Sequence, residues 1–161
     1  MSITNIKKLI RICIKKNIRV NIAESCTGGL ICSKIIAEPN ASKIFEQGLV
    51  TYSNESKIKL LGVPSKVISR HGAVSEQTAY LMAKGLAKNK NTNFSIAITG
   101  IAGPSGATKD KPIGLVYLAF YNINRKISVE KKLFKGNRNQ IREKSSNYAI
   151  LKSLSLIQSC I

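Results

Sequence analysis

The 161 residues hold a single histidine, His71, and only eight acidic side chains. The four cysteines, Cys13, Cys26, Cys32 and Cys160, form no C-x-x-C pair, and one histidine does not complete a zinc set with them. No metal site is therefore expected. No apolar run approaches the roughly 18 residues that suggest a membrane span. Lys7, Lys8, Arg11, Lys15 and Lys16 interrupt the stretch where the hydrophobic region of a signal peptide would lie. The expectation is a cytoplasmic chain with reduced thiols. The G-K-[ST] ending of a Walker A loop is missing, and no G-x-G-x-x-G precedes a helix, so neither common nucleotide fingerprint is present. There is no internal repeat and no linker.

Basic residues are abundant. Lysine and arginine number 26, for a formal net charge of +18. Such a surplus attracts nucleic acid, an anionic membrane or a phosphorylated metabolite. Against a nucleic-acid footprint, the lysines are scattered from end to end without a dense block. They also sit among isoleucine and asparagine, as in Ile6-Lys7-Lys8 and Asn89-Lys90-Asn91, which has the look of compositional drift. A solvated lysine background is the preferred reading. The length suits one domain, residues 1–161, with an ordinary core.

Periodicity supplies the elements. Ile3, Ile6, Leu9, Ile10 and Cys13 predict an amphipathic helix over 3–16, and residues 18–23 alternate like a strand. The small polar turn 24–29 leads into a helix over 30–36. A strand is expected over 48–52, then a short helix over 55–61, capped by Ser53 or Asn54 and closed by Gly62. Ser75 caps a further helix with Ala79, Met82, Ala83 and Leu86 on one face. The apolar run 94–98 reads as a strand buried on both sides. Residues 114–121 and 127–134 read as an antiparallel hairpin. Asn137 caps a last helix, to about Ser159, carrying Ile141, Tyr148, Ile150, Leu151 and Leu154. The order α-β-α-β-α-α-β-β-β-α fits an α/β fold, a three-layer α/β/α sandwich around a mixed, mostly parallel sheet.

Several segments have the residue types that chemistry needs. Glu24-Ser25-Cys26-Thr27-Gly28-Gly29 lies between strand and helix, where α/β proteins place ligands. The helix start offers N–H groups to a phosphate or an oxyanion, and Ser25 is a candidate nucleophile. The plainer alternative is a capped, closely packed turn. Lys57, in the first turn of a helix, is a candidate base, because burial or a positive helix end depresses a lysine pKa. Otherwise it is one more surface lysine. Tyr52 ends the preceding strand and can relay a proton or donate to an oxyanion. The loop Thr99-Gly100-Ile101-Ala102-Gly103-Pro104-Ser105-Gly106, followed by Lys111-Pro112-Ile113-Gly114, has the composition of a binding loop. Arg138 and Arg142 share a helix face and suit a phosphate or carboxylate, unless both are merely solvated. His71 is expected to support structure by bonding a loop carbonyl. Cys26 is a rival nucleophile, but without a histidine partner it reads as a packed thiol.

Together, Ala23-Glu-Ser-Cys-Thr-Gly-Gly29, Gly48-Leu-Val-Thr-Tyr-Ser-Asn-Glu55, His71-Gly-Ala-Val-Ser-Glu76, Thr99-Gly-Ile-Ala-Gly-Pro104 and Lys111-Pro-Ile-Gly114 closely resemble the C-terminal domain family of the competence-damage-inducible protein CinA. Stand-alone members look like nicotinamide mononucleotide deamidases. The resemblance implies an amidohydrolase that forms nicotinate mononucleotide and ammonia in pyridine-nucleotide recycling, without metal or cofactor. It places a catalytic set on Ser25, Lys57 and Tyr52. It places substrate contacts on Thr27, Gly28, Gly29, Thr99, Gly100, Arg138 and Arg142. The family's usual Gly-Asp-Arg reads Gly136-Asn137-Arg138 here, and Ala107 follows Gly106 where relatives often carry glycine. The expected partners are a small-molecule mononucleotide and further copies of the chain, with no specific nucleic acid and no membrane. The competing reading is a non-catalytic nucleic-acid or partner-binding module.

Overall fold

Strand β3 (Phe94–Gly100) is buried on both faces, and it occupies the centre of a five-stranded sheet. The computed structural model describes residues 4–88, 91–122 and 126–159. Around β3 the chain runs α1 (Asn5–Lys15), β1 (Val20–Glu24), α2 (Leu30–Ile36), a 3-10 turn (Ala41–Lys43), β2 (Phe45–Val50), α3 (Asn54–Leu61), α4 (Ser65–His71) and α5 (Glu76–Leu86). After β3 come β4 (Leu115–Tyr121), β5 (Ile127–Leu133) and α6 (Arg138–Ser159). The strand order is β2-β1-β3-β4-β5. β1 pairs parallel with β2 and β3, and β4 pairs antiparallel with β3 and β5. The sheet is thus mixed, with β4 alone running against the others.

Alternation along the strands divides the core. Ile22, Ile96, Ile98, Leu118 and Phe120 pack with α1, α2 and α6. Ala23, Ala97 and Ala119 stand in register across β1, β3 and β4 and pack with α3, α4 and α5. This is the expected α/β/α sandwich. The alanine row lets α5 lie close to the sheet. Close packing continues outward, since a Cβ on Gly85 of α5 would lie 2.1 Å from the Leu61 carbonyl oxygen at the end of α3.

The expected caps form. Ser53 Oγ accepts from the Ser56 N–H, and Ser75 Oγ from the Thr78 N–H. Asn137 Oδ1 accepts from the Gln140 N–H while Gln140 Oε1 accepts from the Asn137 N–H, so asparagine closes a reciprocal box at the head of α6.

The structure also corrects the sequence reading. Glu24 closes β1 rather than opening the turn. β2 begins at Phe45 and ends at Val50, because Thr51 and Tyr52 turn their carbonyls to a lysine. Helix α4, which follows Pro64, has no counterpart in the elements that periodicity predicts. Leu151 is half exposed on α6, where Ser145, Ser146, Ala149 and Ser153 face inward instead. The buried Ser145 and Ser153 hydroxyls donate to the carbonyls of Ile141 and Ala149. Ile3, Cys160 and residues 123–125 of the hairpin connection lie outside the described residues. Among the described residues, no helix is long and apolar enough to cross a membrane.

Candidate active site

The chain leaves β1 on one side to form β2 and returns on the other to form β3. The parallel strands end together, and the crevice beyond such a switch point is where α/β sheets bind ligands. Glu24 is the last residue of β1 and Ser25 the first beyond it. Their side chains go to opposite layers, as strand alternation requires.

Glu24 points toward α2 and is fully buried. Its Oε2 accepts from the N–H groups of Gly29 and Ile31, at 3.0 and 3.2 Å, and its Oε1 from that of Cys32, at 2.8 Å. The helix start that the sequence left open to a phosphate is therefore filled by the chain's own carboxylate. The Gly28 N–H is also engaged, by the Ser25 carbonyl at 3.1 Å. Among the described residues, no carbonyl accepts from the N–H groups of Cys26 and Thr27 in this turn. Gly29 has φ +92°, a left-handed conformation that glycine adopts without strain.

Ser25 points the other way, toward α3. Its Oγ lies 3.1 Å from Lys57 Nζ. Lys57 is only 1% exposed, and its Nζ also donates to the Thr51 and Tyr52 carbonyls, at 2.6 and 3.2 Å. Among the described residues no carboxylate pairs with it. Burial pushes its pKa below the ordinary lysine value. In the neutral amine, two N–H bonds satisfy the two carbonyls and the lone pair is left for the Ser25 hydroxyl, which then donates. This is the geometry of a nucleophile beside its base.

The phenol of Tyr52 is elsewhere. The side chain is 63% exposed, and its hydroxyl accepts from Arg138 Nη2 at 3.2 Å. Lys57 contacts the backbone of Tyr52, not its ring, and Ser25 and Lys57 touch directly. A relay through the phenol has no gap to bridge. Arg138 Nη1 also donates to the Gly103 carbonyl at 2.6 Å, pinning the loop after β3 to the head of α6. Arg142 Nη2 donates to the Thr27 carbonyl at 2.9 Å and so braces the Ser25 turn from behind.

A cleft of about 320 Å³ opens at Ser25 and Lys57. Of the residues expected in a site, Ser25, Tyr52, Lys57, Thr99, Gly100 and Arg138 line it. Thr27, Gly28, Gly29 and Arg142 do not; they form the support behind Ser25. Gly100 is needed for packing as well, since a Cβ there would lie 2.7 Å from Val116 Cγ2. The sequence reading missed Ala73 and Val74, which form one wall. Thr99 Oγ1 donates to the Ala73 carbonyl at 2.9 Å and holds that wall in place. The sequence predicts that the His71 ring bonds a loop carbonyl; among the described residues the tie is made instead by the His71 carbonyl, which accepts from Lys111 Nζ. Cys26 also lines the cleft, but burial, reinforced by the Glu24 charge, pushes its thiol up to about 12. It is a thiol at neutral pH and a poor nucleophile.

The family model described as the CinA C-terminal domain matches residues 3–157. The chain belongs to the CinA C-terminal domain family. It is 48% identical over 136 residues to a CinA-like protein of Kosmotoga olearia, an alignment covering 84% of this chain and 33% of that protein. The chain thus spans about a third of the length of the curated relatives it matches. Two solved structures share its fold over nearly their whole length. The competence damage-inducible protein A of Klebsiella pneumoniae superposes with a TM-score of 0.93 at 27% identity, covering 98% of this chain and 97% of that one. The competence/damage inducible protein of Agrobacterium tumefaciens gives 0.87 at 36% identity, covering 97% and 99%.

Proposed function

We propose that this CinA-type domain is a serine amidohydrolase acting on nicotinamide mononucleotide. The observation that carries the reading is the buried Lys57 amine, 3.1 Å from Ser25 Oγ and held by two backbone carbonyls. A buried lysine without a carboxylate partner is costly as a cation, and the arrangement favours the neutral base that a serine nucleophile requires.

In the proposed reaction the Ser25 oxygen attacks the carboxamide carbon while its proton passes to Lys57. The backbone N–H groups of Cys26 and Thr27, in the turn after Ser25, are assigned the developing oxyanion. The C–N bond then breaks, with the Lys57 proton going to the departing nitrogen as ammonia. Water attacks the acyl-serine, gives one proton to Lys57, and the Ser25 oxygen leaves with that proton. The acid product is released as its carboxylate. Among the described residues lining the cleft, Arg138 supplies a positive charge beside the neutral Lys57 amine, and it is assigned the phosphate. Tyr52, ordered by Arg138, stands at the rim against the bound ring. Thr99 and Gly100 shape the floor. A volume near 320 Å³ is at the small end of ligand pockets and suits a mononucleotide rather than a polymer.

The test is ammonia release from nicotinamide mononucleotide by the purified chain, with Ser25→Ala as control. Turnover by the native chain alone supports the reading. Equal release by both, or none by either, overturns it.

A further inference from the structure

Glu24 is a buried acid that the mechanism above does not use. It adjoins the nucleophile, is 0% exposed, and its carboxylate accepts three backbone N–H bonds at the start of α2. It makes no ion pair among the described residues. Its charge is felt in the site, because it helps raise the thiol of Cys26, the residue after Ser25. Among the described residues no acidic side chain lines the cleft, whose basic side chains are Lys57 and Arg138.

These facts bear on the product. Hydrolysis turns a neutral amide into an acid beside Ser25, and the proton that acid sheds can pass to the neutral Lys57 amine, which leaves a carboxylate against a protonated lysine. Such a pocket would retain the anion it makes. An empty helix start behind Ser25 would strengthen the grip. We propose that Glu24 is a positioning residue with two effects: it clamps the Ser25 turn, and its fixed negative charge keeps the carboxylate product from lodging against that turn. Its three N–H bonds set the loop that aims the Cys26 and Thr27 donors. Its charge opposes an anion at Ser25 more than it opposes the neutral amide.

The inference rests on the amidohydrolase reading, and the two fail differently. If the native chain releases no ammonia from nicotinamide mononucleotide, the reading falls and this inference with it. If the native chain turns over, product inhibition by nicotinate mononucleotide decides the matter. Glu24→Gln removes the charge and keeps an acceptor oxygen, whereas Glu24→Asp keeps the charge and disturbs the bonds. For Glu24→Gln the product inhibition constant is expected to fall about tenfold, which corresponds to about 1.4 kcal/mol for a charge felt across a partly buried site. Glu24→Asp is expected to lose kcat without tighter product binding. A merely structural acid predicts weaker binding of every ligand in both variants. An unchanged or raised constant in Glu24→Gln, or an equal fall in Glu24→Asp, overturns the proposal. Should Glu24→Gln not fold, calorimetric titration of Ser25→Ala decides instead. Product binding at least about tenfold weaker than substrate supports the proposal, by the same charge argument. Product binding equal to or tighter than substrate overturns it.

Discussion

Lys57 reaches Ser25 across 32 residues of sequence, with 3.1 Å between its Nζ and the serine oxygen. The lysine is buried, and its amine is held by groups of the protein itself. Its partners are the Ser25 hydroxyl and two main-chain carbonyls. The contact arises because β1 and β2 end side by side and Ser53 starts α3 immediately afterwards.

That pairing predicts a unit in the kinetics. Ser25→Ala and Lys57→Ala are each expected to lose at least about 10³-fold in kcat, and the double variant little more. Lys57→Arg does not rescue, since arginine keeps its proton. Cys26→Ala is expected to retain most activity. Normal turnover by Ser25→Ala beside an inactive Cys26→Ala would move the nucleophile by one residue.

The pH dependence follows from the lowered pKa of Lys57. Activity needs the neutral amine, so kcat/KM is expected to rise with pH through that depressed value. Stability follows the same direction. Between the depressed folded pKa and the ordinary lysine value of 10.5, the unfolded chain binds the extra proton, so raising the pH through this window stabilises the fold. Lys57→Met lacks this term. Tm measured across the window, native against Lys57→Met, should show the steeper rise in the native chain; parallel curves would refute it.

Tyr52 and Arg138 make a separable prediction. Because the Tyr52 hydroxyl meets Arg138 and not the Ser25–Lys57 contact, Tyr52→Phe is expected to keep kcat within about tenfold. Arg138→Ala removes the proposed phosphate contact and the tie to Gly103, so KM for the mononucleotide should rise by about tenfold or more. Free nicotinamide, which has no phosphate, should be a far poorer substrate for the native chain and nearly indifferent to Arg138. A large kcat loss in Tyr52→Phe would return the phenol to proton transfer.

The net charge of +18 gives the fourth prediction. If the lysines are a solvated background, binding to duplex DNA should be weak, without sequence preference, and lost by about 200 mM salt. Tight, sequence-selective binding at physiological salt would instead favour a nucleic-acid module.

Much of the architecture is legible in the chain itself. The two-sided apolar run 94–98 marks a central strand, and Ser53, Gly62, Ser75 and Asn137 mark helix ends, because caps and periodicity are local physics. Helix α4 escaped because its seven residues bury chiefly Ile68 and make too short a pattern to read. For the site, residue types alone singled out Ser25, Lys57 and the loop after β3. They did not show that Glu24 fills the start of α2, that Tyr52 bonds Arg138, or that Ala73 and Val74 form a wall. Those are relations between segments far apart in sequence, and they depend on where sheet and helices set each backbone. Whether a lysine is a solvated cation or a buried base is a matter of what covers it. For Lys57 that cover is assembled only when β1, β2 and α3 come together, and there tertiary structure sets one of many lysines as a buried amine beside a serine.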